Sequence, residues 1–451
     1  MLHPLSRLAE KLQIDRPLLY ALSSRAWQAM AGPLTMIFLI SSLTLGEQGV
    51  YYSLSSIMSI QLFFELGLLN ILISQAGHQS SQIASAASNS QRQVAQLRMS
   101  SLIQASKRWF FVASLLFVVA AIGMGWRALS DKVTTIQWWS PLIALSMIAG
   151  VTIALSPRMA ILEGAGFRDS VYRSRLMQMV SGAIVVWVSL LSGLKVWALV
   201  ASASVQLVFV TYLTLIAYRS FFQEHQKSSL TQETNTENEK GWSWLSDVLP
   251  LQWRIALISI VYHAATQFFT VIVLRFHGEQ EAGRLGMTLS ATGAIQSMAL
   301  AWVHTKFSLV STLHGSGKRE EAGTLWRRSA VVSTVLLVTA LLTATAVVSS
   351  LPLAQRGWEN RFIQPWQMLV LSAGCFANHL IALQSFYVLS RQGRPFMTAA
   401  LVGFLSTGLA VLCGGYHYST TGIVVGYAVT TALVTLPLHS LAYLRYRSKA
   451  N

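Results

Sequence analysis

Apolar stretches of about 20 residues or more, separated by short polar gaps, run the length of the chain. A helix of roughly 20 apolar residues crosses the hydrocarbon core of a bilayer. Twelve such stretches are predicted as spanning helices: residues 20–45, 49–77, 109–129, 138–162, 172–193, 196–219, 249–275, 281–313, 327–351, 364–389, 396–415 and 420–444. Gly46-Glu47-Gln48-Gly49 leaves so little between the first two that they are predicted to form a tight hairpin. The expected fold class is all-α: a polytopic membrane protein of about twelve helices in two six-helix bundles, with no sizeable soluble domain.

Composition agrees. Of 451 residues, 53% are hydrophobic and 11% charged, where soluble domains carry about 25% charged residues. The formal charge of +16 would point to nucleic acid in a soluble protein. In a membrane protein, bases gather in cytoplasmic loops instead, so no nucleic-acid partner is expected. With both termini inside, 22 of the 33 Lys and Arg fall in inner segments and 7 in outer ones. The other four, Arg25, Arg158, Arg254 and Lys306, fall within spans. That bias predicts a bacterial inner-membrane protein with cytoplasmic termini. Trp126, Trp138, Trp139 and Trp358 near outer ends, and Trp109, Trp242 and Trp244 near inner ends, suit interface anchors.

The N-terminus is basic (Arg7, Lys11, Arg16), and Ala29-Met30-Ala31 mimics a signal-peptidase site. The apolar run continues to Leu45, so the first helix is expected to remain uncleaved. Cys375 and Cys413 lack metal-ligand spacing, the ten histidines form no HExxH motif, and no phosphate-binding glycine loop occurs. No metal, cofactor or direct ATP coupling is expected.

Two inner loops are long. Residues 78–106 carry Val94, Leu97 and Leu102 at helical spacing, which predicts an amphipathic helix on the cytoplasmic face. Residues 222–247 are polar and read as a flexible linker. The linker divides the chain into a first bundle (1–221) and a second (248–451). Gly46-Glu47-Gln48 and Gly278-Glu279-Gln280, 232 residues apart, occupy equivalent points of the two halves, and Trp27 and Trp253 are 226 apart. An even number of spans per half makes the repeats parallel, and transporters often hold substrate between such halves.

Residues 25–68 include Gly32-Pro33 in the first helix, Gly46-Glu47-Gln48-Gly49-Val50-Tyr51-Tyr52 at the turn and Phe63-Phe64-Glu65-Leu66-Gly67-Leu68 in the second helix. This hairpin resembles the opening of Wzx-type polysaccharide (O-antigen) flippases of the multidrug/oligosaccharidyl-lipid/polysaccharide (MOP) exporter superfamily. The six-plus-six plan extends the likeness to the whole chain as architecture only. The resemblance implies alternating access by two bundles. It also implies transfer of undecaprenyl-pyrophosphate-linked oligosaccharide from the cytoplasmic to the periplasmic leaflet. Membrane lipids and the polysaccharide polymerase and ligation machinery are its implied partners.

A charge within a span costs roughly 2.5–3.5 kcal/mol at the helix centre and so marks a functional hypothesis. Glu65 reads as the only acid inside a span, about 24 Å from the outer end of the second helix at 1.5 Å per residue. It is open to three readings: an ion pair with an arginine, an ion-coupling site, or a satisfied polar residue. With Trp27 aligned to Trp253, Gln28 corresponds to Arg254 and stands three residues from Arg25, so the two arginines fall on corresponding helix faces. Guanidinium binds phosphate oxygens in a fork and stays charged. Arg25, Arg254 and, nearer the interface, Lys306 are therefore the candidate pyrophosphate ligands, with snorkelling to lipid phosphate as the alternative. Arg158 reads as snorkelling, and His263 as either cleft-lining or packing. Gly32 and Pro33 offer a hinge or a static kink.

Three functions compete. A lipid-linked oligosaccharide flippase fits the excess of bases over acids within the spans. An ion-coupled multidrug exporter of the same superfamily would need acidic groups for cationic cargo. A membrane-embedded polysaccharide-biosynthesis enzyme would need a catalytic set in a sizeable outer loop, and the longest, around 351–363, offers none. The protein is not expected to be an enzyme.

Overall fold

The computed structural model describes residues 16–65, 68–232, 249–350, 358–391 and 396–450. Arg7, Lys11, residues 233–247 of the predicted linker and the side chain of Arg254 lie outside the described residues. The helices are α1 (Arg16–Ser42), α2 (Leu45–Met58), α3 (Gln61–Glu65), α4 (Leu68–Ser85), α5 (Asn89–Leu129), α6 (Trp139–Gly164), α7 (Arg168–Leu191) and α8 (Trp197–Thr211). They continue with α9 (Arg219–Gln232), α10 (Leu249–Thr266), α11 (Phe269–His277), α12 (Glu279–Gly315), α13 (Arg319–Ser350), α14 (Pro365–Ser390), α15 (Met397–Thr430) and α16 (Leu436–Ala450). No strand occurs among the described residues.

Among the described residues, seven helices are long and apolar enough to cross a membrane, or nine if two bent pairs each count as one span. The longest, Met397–Ser448, is interrupted at Tyr418 and Ser419, where φ at Ser419 is +55°. Residues on either side fold back on each other: a Cβ on Gly414 or Gly422 would overlap the other's backbone, and Gly426 meets the Ala410 carbonyl. This is the hairpin expected between 396–415 and 420–444. Helices α1 and α12 add 27 and 37 residues, each long enough to span. The chain is an all-α, multi-pass membrane protein.

Local chemistry moved several boundaries. Gly46-Glu47-Gln48-Gly49 is not the turn but the first turn of α2. Thr44 Oγ1 accepts from the Glu47 N–H, and Glu47 Oε2 accepts from the Thr44 N–H at 2.8 Å, a reciprocal cap that starts the helix at Leu45. The predicted surface helix over 78–106 is divided: 78–85 end α4 and 89–106 form the N-terminal part of α5. Nothing between 89 and 129 breaks the ladder, and one buried stripe (Ala95, Met99, Leu102, Ser106, Phe110, Ala113, Phe117, Ala121) runs along it at helical spacing. The linker begins later than expected, because 222–232 belong to α9. Phe222 is buried under the Arg158 guanidinium, 5.4 Å from its ring, and the His225 carbonyl accepts from Ser100 Oγ at 2.6 Å. Arg158 is thus held by an aromatic face of the protein.

The predicted seventh span is broken: α10 ends at Thr266, α11 starts at Phe269, and the two meet at 42°. No glycine or proline marks the break. Wide π-type turns interrupt the last helix of each half, at Tyr212–Ala217 and at Thr431–Thr435.

The chain forms two compact units. One comprises Met1–Ala31, Ile60–Ile122 and Ile143–Trp253, and the other Gly32–Ser59, Gly123–Leu142 and Arg254–Asn451. In the first, Glu163 is buried and pairs with Arg175 at 2.8 Å while accepting from the Tyr172 hydroxyl at 3.0 Å. Glu65 is therefore not the only acid the helices enclose. In the second, α2 crosses α12 with reciprocal contacts. A Cβ on Gly49 would overlap the Glu279 carbonyl, and one on Gly283 would meet the Leu45 carbonyl. Gln48 Nε2 donates to the Gly283 carbonyl at 2.8 Å.

Candidate functional site

A cavity lies within the second unit, where five segments meet beside the α10–α11 break. A broken helix exposes backbone polar groups, which at membrane depth persist only against protein or in a polar cavity. The cavity has a volume of about 350 Å³. Ser55 and Ser56 come from α2, Thr266 and Gln267 from the break, Thr292 and Gln296 from α12, and Asn378 from α14. Tyr52, Tyr262, Phe269 and Tyr427 supply the aromatic walls.

The polar groups on these walls are tied together. The Ser56 and Thr270 hydroxyls stand 2.6 Å apart, and the Tyr52 hydroxyl reaches Met287 Sδ at 3.2 Å. The rings of Phe269 and Tyr427 meet edge to face at 5.5 Å, and Tyr262 meets Phe404 at 4.9 Å. Among the described residues, no charged side chain lines the cavity. The arrangement presents hydroxyl and amide donors and acceptors between aromatic faces, which suits a neutral polar ligand.

Arg25, Glu65 and Lys306, singled out from the sequence, fall elsewhere. Arg25 is exposed on α1 and donates from Nη1 to Gln28 Oε1 at 3.4 Å, so the two do share a helix face. Glu65 ends α3, half-buried, and accepts from Gln61 Nε2 at 2.6 Å. Both belong to the first unit. Lys306 lies half-buried on α12 in the second unit, and Arg254 is a position of α10 in the same unit. Neither Arg25, Glu65 nor Lys306 lines the cavity. His263 is half-buried, with Nδ1 on the Ser259 carbonyl at 2.7 Å, as a packing histidine would be. Gly32 and Pro33 lie inside the unbroken α1, at the position where the chain passes from one compact unit to the other.

Gln267, Gln296 and Asn378 carry no charge and so lack the signal that marks Arg25, Glu65 and Lys306. Uncharged amides inside apolar segments also require partners in a bilayer, and they were the available signal.

No protein-family model and no curated protein matches the chain. Solved structures do. An inward-facing multidrug-resistance MATE-family transporter of the MOP superfamily aligns with a TM-score of 0.57 at 16% identity, covering 92% of this chain and 100% of that one. The MATE multidrug transporter DinF-BH, in a ligand complex, aligns at 0.56 and 14% identity over 96% of each chain. The lipid II flippase MurJ, in an inward closed conformation, aligns at 0.54 and 12% identity over 92% of this chain and 87% of that one. The chain has the fold of these MOP-superfamily transporters.

Proposed function

We propose that this protein is a flippase. It turns undecaprenyl-pyrophosphate-linked oligosaccharide, the repeat unit of a surface polysaccharide such as O-antigen, from the cytoplasmic to the periplasmic leaflet by alternating access. In this reading it resides in the bacterial inner membrane with both termini cytoplasmic, and residues 222–247 separate its two halves. The observation that carries the reading is the state of the acids. Glu47 caps α2, Glu163 pairs with Arg175, Glu281 pairs with Arg284 at 2.6 Å and accepts from Thr420, and Glu65 is held by Gln61. Among the described residues, no acid lines the cavity. A cationic cargo would need a carboxylate to offset its desolvation, whereas a neutral glycan needs hydroxyls and amides. The polyprenyl tail stays in the bilayer while head group and sugar pass.

The test is reconstitution in liposomes with a fluorescent undecaprenyl-pyrophosphate oligosaccharide. Protein-dependent exposure of the glycan to an external lectin is expected. Movement of cationic dyes without glycan exposure would replace this reading with a multidrug exporter. That second reading draws on the same fold in two structures described as multidrug transporters.

A further inference from the structure

The cavity beside the α10–α11 break joins hydroxyls and amides between aromatic walls within the second unit. We propose that it is a sugar subsite, which receives one or two uncharged pyranose rings of the glycan while the pyrophosphate is held elsewhere. This assignment rests on the flippase reading and deepens it.

Size is the first argument. At about 350 Å³ the cavity sits at the small end of the roughly 300–1,000 Å³ typical of small-molecule pockets. That admits one or two sugar rings and excludes a whole repeat unit with its lipid. Functional groups are the second. Gln267, Gln296 and Asn378 each carry an acceptor oxygen beside a two-proton donor. Vicinal sugar hydroxyls present the matching pair, each able to donate and accept. Ser55, Ser56, Thr266, Thr270, Ser290 and Thr292 add hydroxyls that rotate to suit. The aromatic walls are the third. A pyranose has a face of C–H bonds as well as a rim of hydroxyls, and Tyr52, Tyr262 and Tyr427 offer an apolar face with a polar tip.

Other ligand classes fit less well. Among the described lining residues, a phosphate or pyrophosphate would meet no Arg or Lys, and an organic cation would meet no carboxylate. An apolar drug would have to cover three amides and several hydroxyls without satisfying them, at about 1–3 kcal/mol for each group left unpaired.

Two measurements on the full-length protein in nanodiscs test the subsite. The first compares binding of undecaprenyl pyrophosphate carrying one hexose with binding of bare undecaprenyl pyrophosphate. Gln296→Leu should weaken the hexose-bearing lipid about tenfold and leave the bare lipid unchanged. Ser290→Ala, a smaller change, should act in the same direction by a lesser factor. The second uses Cys375, which lines the cavity. In a Cys413→Ser background it is the sole thiol, since the chain has two cysteines. The hexose-bearing lipid should slow its reaction with methyl methanethiosulfonate, and the bare lipid should not. Equal loss of both lipids in Gln296→Leu, or equal protection by both, would overturn the subsite by showing that it takes the head group or tail. Tight binding of the hexose-bearing lipid that neither variant weakens would overturn the subsite and leave the flippase reading standing. Failure of wild-type protein to bind either lipid would overturn the flippase reading. Protection of Cys375 by a free neutral disaccharide in that case would support the subsite alone.

Discussion

Arg275 at the end of α11 donates from Nη1 to Oδ2 of Asp131 at 2.6 Å, joining residues 144 apart in the chain. The hydrogen bond from Arg275, a second from Ser130 and the charge of the guanidinium hold the Asp131 carboxyl below its ordinary value. A carboxyl depressed in the folded state contributes stability above its unfolded value and loses it as pH falls through the folded value. The melting-temperature difference between wild type and Asp131→Asn in detergent should therefore stay constant above about pH 5 and close in more acid solution. Asp131 is exposed, so the difference should also shrink in high salt. A difference that persists unchanged at low pH would show that the carboxylate charge is not its source.

The crossing of α2 and α12 leaves no room for a Cβ at Gly49 or Gly283, because each faces a backbone carbonyl of the other helix. Backbone cannot rotate away as a side chain can. Gly49→Ala and Gly283→Ala should each destabilise by about 1–3 kcal/mol or more, read as a lowered melting temperature. Gly32 has nothing within 4 Å of its would-be Cβ. Gly32→Ala should leave stability unchanged or raise it by about 0.4–1 kcal/mol. If Gly32 and Pro33 serve as a hinge, the same change should slow transport severalfold, and normal transport would assign them a static kink.

These two helices also show what the sequence made legible. The spans were readable because hydropathy is a property of whole segments, and α14 and α15 begin within about a residue of their expected starts. The proposed repeat takes a different register from the one the three-letter match suggests. Matching Gly46-Glu47-Gln48 to Gly278-Glu279-Gln280 sets the halves 232 apart. In the structure the N-caps Thr44 and Gly278, the third helical positions Glu47 and Glu281, and the contact glycines Gly49 and Gly283 all correspond at 234. Cap geometry fixes the register, and a three-letter match does not carry it. The break after Thr266 lacks glycine or proline, so no local signal announced it. The cavity draws Ser, Thr, Gln, Asn and Tyr from five distant segments. Each is unremarkable singly, and only tertiary packing brings them together.

Glu163 follows the predicted end of its span by one residue. It is 7% exposed and bound by both Arg175 and Tyr172. Breaking a fully buried pair costs about 3–5 kcal/mol. Arg175 is partly exposed, with 42% of its side chain accessible, so about 2 kcal/mol is expected for Glu163→Ala after allowance for screening. Glu163→Ala combined with Arg175→Ala should cost less than the two single changes added together. Additive losses, measured by thermal unfolding, would show that the pair is not coupled.

Arg25 and Arg254 are proposed as pyrophosphate ligands on the first helix of each half. Alanine at either should cut transport about tenfold or more while leaving the protein in the membrane, since a charge-assisted hydrogen bond contributes about 1.5–3 kcal/mol. Lysine should rescue only partly, because an ammonium lacks the planar fork. The readout is glycan exposure in liposomes, and full activity of the double alanine variant would sink the assignment.

Glu65 is the remaining proposal, and its surroundings sharpen it. Its Oε1 accepts from Gln61 one turn earlier on α3. Gln61 is neutral, so this contact does not supply the positive charge that an ion-pair reading requires. A half-buried carboxylate with an amide partner can exchange its proton without breaking a salt bridge, as a coupling group must. Glu65→Gln keeps the shape and removes the titration. In proteoliposomes with an imposed pH gradient, Glu65→Gln is expected to lose the acceleration that the gradient gives wild type. It should still permit slow glycan exposure driven by the substrate gradient alone. Gln61→Leu should retain gradient dependence but shift the pH at which it sets in, because the carboxylate then lacks its hydrogen bond. Gradient-dependent transport that survives Glu65→Gln would assign Glu65 a structural role and place coupling elsewhere.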